Sequence, residues 1–224
     1  RSIWVTGVQT CALPISLLDV FCLDMRTYRG ANPAPGVAGP VAMLGAEQAS
    51  WLVREAAASK ATWKVIASDM PLGLLIPDGT EIEAVANGLA GAPGGREHDI
   101  AWVLSQFKRR KVRNTVWLTA DVHYCAAHHY DPSRAAYTDF DPFWELVAGP
   151  VNAGTFGPNA LDSTFGPRLE FVKAADFPNQ PPSGGNQFFG HVEIDPRTEV
   201  FTASLRDLHG KVLWRKDLPP ADRH

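Results

Sequence analysis

The order strand, helix, strand is the feature that most limits what this chain can fold into. Residues 63–68 (WKVIAS) form a continuous apolar run that stops at Asp69 and Pro71. Ile100, Val103, Leu104 and Phe107 then recur at helical spacing over residues 98–110, with Lys108, Arg109, Arg110 and Lys111 suited to the negative C-terminal end of that helix. A second apolar run begins at residues 116–118 and continues to Asp121. Strands that are apolar on both faces and joined by a helix belong in a parallel sheet buried on both sides. The expected fold class is α/β.

The flanking sequence extends this reading. Residues 17–23 give another buried strand, ending at Asp24, and Ala49, Leu52, Val53 and Ala56 mark an amphipathic helix over 46–58. Residues 30–45 hold Pro33, Pro35, Pro40 and four glycines, so a loop is expected there. A second long loop is expected over 71–96, a length that in a compact domain is usually functional or disordered. Residues 131–187 read as mostly irregular, with one strand at 145–148. Near the end, Phe201, Ala203 and Leu205 alternate with polar residues, and a turn at 207–210 leads to Val212 and Trp214. That is a β-hairpin, which joins residues 188–194 in a small antiparallel sheet. The 19 glycines and 18 prolines fit long rigid loops, and no repeat or clean linker divides the chain.

Composition removes several function classes. With 224 residues, 45% of them apolar and 20% charged, the chain can bury a core. A net charge of −3 leaves no footprint for nucleic acid or an anionic membrane surface. No apolar run approaches the roughly 18 residues of a membrane span. Residues 1–16 are expected to be foreign, because residues 5–15 (VTGVQTCALPI) read as the translation of a sequencing-library adapter. The natural domain is then expected to be residues 17–219, followed by a tail at 220–224, with the gene cut at its 5′ end. Cys22 and Cys125 remain, too few and too far apart for a disulfide framework or a Cys-based zinc site.

The chemistry points to residues 119–131 (TADVHYCAAHHYD). Asp121 and His123 lie two apart at the end of an apolar strand. In an extended strand their side chains would share one face, roughly 6–7 Å apart, which suits two ligands of a metal pair. The C-terminal edge of a parallel sheet is also where α/β proteins place their sites. Asp-x-His alone is weak, and the occurrence at Asp207 and His209 falls in the expected hairpin turn, where Asp and Gly serve the turn itself. His128 and His129 are further ligand candidates, or else one packed and one solvated histidine. Cys125 could be a nucleophile beside a histidine but reads more naturally as a small core residue. Arg26 and Arg29, just past the first strand, could clamp a phosphate or form a salt-bridge cluster that fixes the next loop. Arg96, before the helix at 98–110, could face an anion.

Taken together, several stretches resemble the PhoD-type alkaline phosphatase and phosphodiesterase family. They are FCLDMRTYRG (21–30), LGAEQASWL (44–52), ATWKVIASDMPLG (61–73), GREHDIAWVLSQFK (95–108), VWLTADVHYCAAHHYDP (116–132), DFDPFWELVAGPVNAGTFGPNALDSTFGP (139–167) and NQFFGHVEID (186–195). The resemblance runs in one order from Leu17 to Pro219. It implies the C-terminal half of a calcineurin-like metallophosphatase fold: a sheet sandwich flanked by helices and ending in a small antiparallel sheet. It further implies phosphomonoester or phosphodiester hydrolysis by a metal-activated oxygen nucleophile, with iron and calcium as cofactors and a secreted or periplasmic location. Asp121 and His123 match the family's C-terminal ligand pair. Arg26 and Arg96 are the substrate-binding candidates.

The same resemblance marks departures. Residues 87–91 (NGLAG) are apolar where relatives often carry acidic residues. The family's remaining ligands, from Cys, Asp, Tyr and Asn, lie upstream of the stretch that matches Leu17. The N-terminal half of the same chain is therefore the expected partner, and the fragment alone is expected to be inactive and to leave apolar sheet surface uncovered around residues 116–118. A non-catalytic structural or interaction module of the same fold, or a Cys125-dependent hydrolase, are the competing readings.

Overall fold

The computed structural model describes residues 17–221; the adapter-like residues 1–16 lie outside it. A six-stranded sheet forms the centre. Its strands are β1 (Leu18–Cys22), β2 (Trp63–Ala67), β5 (Thr115–Thr119), β7 (Phe143–Val147), β6 (Cys125–Tyr130) and β8 (Pro167–Lys173), in that spatial order. Helix α1 (Ala46–Ala58) connects β1 to β2, and α2 (Glu97–Arg109) lies between β2 and β5. β1, β2, β5 and β7 run parallel, as the strand–helix–strand order requires. β6 pairs antiparallel with β7 on one side and with β8 on the other, so the sheet is mixed.

Those two strands escaped the sequence reading. β6 lies within the segment singled out for its histidines, and β8 within the stretch expected to be irregular. Each has an ordinary strand's length but lacks clean alternation: β6 is nearly all buried, and β8 has no buried residue, only exposed and half-exposed ones. The long loop at 71–96 also carries a short hairpin, β3 (Pro77–Asp78) with β4 (Glu81–Ile82). Helix α1 matches its expected bounds and α2 is shifted by one residue.

Both faces of the sheet are covered. Phe21, Ile66 and Trp117 point towards α1 and α2 and form one core with Leu52, Val53, Ile100, Leu104 and Phe107. Val65, Val116 and Leu146 point the other way, against Phe188, Phe201, Ala203 and Leu205. These last residues come from an antiparallel sheet of β9 (Phe188–Ile194), β10 (Phe201–Asp207) and β11 (Val212–Leu218), in the order β11-β10-β9. Alternation along β5 decides the split, because neighbouring side chains leave opposite faces of a strand. The expectation of an uncovered edge at residues 116–118 is corrected here. β2 and β7 flank β5, and Val116 and Trp117 are both fully buried.

Two side chains lock the loops that follow β1. The Gln48 amide, buried on α1, accepts from Asp24 N at 2.8 Å and donates to Asp24 O at 2.9 Å. Asp99, in the first turn of α2, accepts from the backbone N–H groups of Met43, Leu44 and Gly45. It thereby serves the N-terminus of α1, whose own cap position is Gly45. The tail is tied as well, since Ala221 N donates to Asn114 Oδ1 at 2.7 Å.

Candidate functional site

Three strands of the parallel part end at the same edge, and each is followed by an aspartate: Asp24 after β1, Asp69 after β2, Asp121 after β5. Asp24 serves its own turn, accepting from Arg26 N at 2.9 Å and Thr27 N at 2.7 Å. Its bonds with Thr27, above all, hold its pKa below the usual carboxylate value. That turn projects Arg26 across the edge. Arg26 Nε lies 2.5 Å from Asp69 Oδ2, Nη1 donates to Glu83 Oε1 at 2.9 Å, and Nη2 donates to Asp121 Oδ1 at 2.7 Å. Arg29 shares Glu83 Oε1 at 2.8 Å.

The charges at this edge are mutually dependent. Partial burial opposes the Arg26 charge, but Asp69, Glu83 and Asp121 outweigh it and hold its pKa above the ordinary value. For Asp121, burial comes first and Asp69 second, and both raise the pKa; Arg26 lowers it without cancelling them. On Glu83 the bond from Arg29 dominates and the pKa falls.

Asp121 and His123 are not placed as consecutive in-facing residues of a strand. β5 ends at Thr119, and both residues have left-handed backbone, with φ of 60° and 58°. The chain is turned there by Ala120 N donating to Asp69 O and Val122 N donating to Ala120 O. Asp and His enter this conformation more readily than most side chains. The extended-strand spacing therefore does not apply, although both residues stay at the sheet edge. His123 Nδ1 lies 2.9 Å from the Gly154 carbonyl, and its ring packs 5.8 Å from Phe156. A carbonyl only accepts, so Nδ1 is the donor, and in the neutral imidazole Nε2 then keeps its lone pair. Metal-binding histidines commonly have this arrangement.

The other candidates separate clearly. Arg96 is 1% exposed, and its guanidinium donates to Ala84 O, Gly30 O and Asn32 Oδ1, tying the 30–45 loop to the 71–96 loop. Arg26, about half-exposed, is the guanidinium at the Asp121 edge. His128 is buried where β6 pairs with β7, its Nδ1 3.2 Å from Glu145 Oε2 but without a hydrogen bond. His129 is half-buried against the Trp144 ring and Arg134. Cys125 is fully buried, and burial pushes its thiol up to about 12, far from a usable nucleophile. His209 is exposed in the β10–β11 turn. A third Asp-x-His, at Asp222 and His224, lies outside the described residues.

Asp69 and Glu83 were missed as well. Asp69 shares the strand-then-aspartate pattern that singled out Asp121, so a signal existed. Glu83 had none, because only the tertiary course of the 71–96 loop brings it to Arg26. As a metal centre, this edge offers fitting donor chemistry in His123 Nε2 and the Asp121 carboxylate. It falls short in number: among the described residues, no group of three or more His, Cys, Asp or Glu is arranged to hold a metal ion.

A family profile described as PhoD-like phosphatase matches residues 16–205, most of the chain. The chain belongs to the PhoD-like phosphatase family. A solved structure described as "Structure of PhoD" is similar with a TM-score of 0.55 at 16% identity, covering 96% of this chain and 44% of that one. That likeness shows a common mixed α/β fold, ending in this chain in the small antiparallel sheet. No curated protein matches. Among the described residues no helix is long and apolar enough to cross a membrane.

Proposed function

We propose that this chain carries one part of a phosphoric ester hydrolase centre, with Asp121 and His123 as metal donors. The observation that supports it best is the 2.9 Å contact of His123 Nδ1 with the Gly154 carbonyl at a sheet edge of a PhoD-like phosphatase, which in the neutral imidazole assigns the proton to Nδ1 and leaves Nε2 available. The resemblance implies that iron and calcium fill the centre and that the remaining donors come from sequence upstream of the stretch matching Leu17. Bound there, such metals would supply Lewis acidity to the phosphoryl oxygens.

The chain's own residues hold and orient. The left-handed turn fixes the direction of Asp121 and His123, and Phe156 covers one face of the imidazole. Arg26 is the exposed guanidinium next to Asp121 and is the group we assign to an anionic phosphoryl oxygen. We assign Arg96 to loop closure, since its Nη1 and Nη2 already meet carbonyl-type acceptors on both loops, leaving only the buried Nε without a partner.

On this reading the 224-residue chain alone does not hydrolyse phosphate esters, and its intact parent does. Assays against an aryl phosphate and an aryl phosphodiester, with added iron and calcium, should show turnover by the parent and none by this chain above its Asp121→Ala/His123→Ala variant. Turnover by the chain well above that variant would contradict the assignment.

A further inference from the structure

The carbonyl that meets His123 Nδ1 belongs to Gly154, and the groups that hold it come from far along the chain. Gln187 lies just before β9, in the stretch NQFFG, and is 6% exposed. Its side-chain amide grips the residue before Gly154 in both directions: Ala153 N donates to Oε1 at 3.2 Å, and Nε2 donates to Ala153 O at 3.1 Å. An amide used this way pairs with one residue as a neighbouring strand would. The residue after Gly154 is fixed as well. Thr155 is fully buried, its Oγ1–H donates to Asn186 O at 2.7 Å, and its backbone exchanges two hydrogen bonds with Gln180. Gly154 thus sits between two anchored residues, and a Cβ on it would lie 1.9 Å from Asn179 Oδ1. Its peptide has little room to turn.

We propose that Gln187 is a positioning residue for His123, acting through the Ala153–Gly154 backbone to hold the Gly154 carbonyl against Nδ1. For its meaning in catalysis the inference rests on the reading of His123 as a donor, and it adds the group that sets which nitrogen is presented. A neutral imidazole carries one proton, and the partner of one nitrogen decides which nitrogen keeps the lone pair. Without the clamp the Gly154 carbonyl is free to turn away, and the proton is no longer held on Nδ1. Gln187 thereby ties the small antiparallel sheet to the turn between β5 and β6. Gln48 repeats the device, its amide gripping Asp24 N and O, but that clamp serves the turn of Arg26 and so provides an internal control.

The test is imidazole proton–nitrogen correlation NMR of the isotope-labelled 224-residue chain without metal, at about pH 8.5, where an ordinary histidine is neutral. The His123 signals are assigned by their loss in His123→Gln. The unaltered chain should show His123 in the Nδ1–H form. In Gln187→Met the share of the Nε2–H form should rise about fivefold or more, the weight of one ordinary hydrogen bond. Gln187→Asn, one methylene too short to span Ala153 N and O, should shift the same way; it decides the matter if circular dichroism shows Gln187→Met unfolded. Gln48→Met, which removes an equally buried clamp, should leave the His123 tautomer as it is. An unchanged tautomer in the folded Gln187 variants would overturn the proposal, as would an equal shift in Gln48→Met. The two readings fail separately. If the Gln187 variants keep the Nδ1–H form while His123→Ala strips metal from the intact parent, the positioning role falls and the donor role stands. If the parent's His123→Ala keeps its metal, the donor role falls whatever the Gln187 variants show.

Discussion

Asp121 and His123 sit on the turn between β5 and β6, while Asp207 and His209 sit on the turn between β10 and β11. The tripeptide pattern is the same and the surroundings differ throughout. In the hairpin, the Asp207 carboxylate closes its own turn by accepting from His209 N at 2.9 Å and Lys211 N at 3.0 Å, and Gly210 takes the left-handed position. At the sheet edge, Asp121 and His123 take that position themselves, and their side chains reach Arg26 and Gly154, distant in sequence. A left-handed non-glycine residue costs roughly 1–2 kcal/mol, and it persists only where surrounding structure over-determines it. The hairpin solves a local problem with local residues. The sheet edge spends stability to aim two side chains.

The contrast can be tested by how much each turn's support is worth. On β7, which pairs with both β5 and β6, the fully buried Glu145 carboxylate accepts from Leu72 N at 2.7 Å and Tyr130 Oη–H at 2.8 Å. Glu145→Ala leaves both buried donors without that partner and should cost about 4 kcal/mol in urea unfolding. Asp207→Ala removes two solvent-exposed turn bonds and should cost about 1 kcal/mol. Equal costs would break the comparison.

Glycines sharpen it. A Cβ on Gly157, at φ +80, would lie 2.4 Å from the buried Tyr124 ring, whereas one on Gly210, at φ +81, would meet nothing within 4 Å. Strain is common to both and overpacking belongs to Gly157 alone, so Gly157→Ala should cost about 3 kcal/mol and Gly210→Ala about 1. Thermal or denaturant unfolding of the two variants checks the difference.

The loop that carries Arg96 adds a pH dependence of the opposite sign to most carboxylates. Glu97 is fully buried and accepts from Asn87 N and Gly94 N, and burial pushes its pKa up to about 7. A raised acid pKa means that the folded state favours the proton. This stability is complete below the unfolded value near 4.5 and declines as pH rises to 7. At most about 3 kcal/mol is involved, and Glu97→Gln should flatten the profile over that window. An unchanged slope in Glu97→Gln would place the titration elsewhere. At the small end, His209→Ala should shift stability by less than about 0.5 kcal/mol, since the imidazole is exposed in its turn.

Much of this was readable in the sequence, for definite reasons. The strands and helices of the parallel part follow from runs and spacings that burial dictates, and β9, β10 and β11 follow from alternation and a Gly-closed turn. β6 and β8 were not readable, because neither carries a one-sided pattern: Cys125–Tyr130 is buried on both faces and holds two adjacent histidines, and Pro167–Lys173 lies on the sheet's outer edge. At the site, Asp121 and His123 stood out by chain position. Their left-handed backbone did not, since it depends on Asp69 O receiving Ala120 N across the edge. Glu83 and the partners of Arg96 were hidden for the same reason, as products of two long loops meeting each other.

Metal content of the intact parent tests the central distinction between the two turns most directly. Elemental analysis of the purified parent and of its Asp121→Ala, His123→Ala and His209→Ala variants should show metal lost from the first two and fully retained in the third. Retention of all metal by His123→Ala, or loss from His209→Ala as complete as from His123→Ala, would contradict the assignment of the site to the β5–β6 turn.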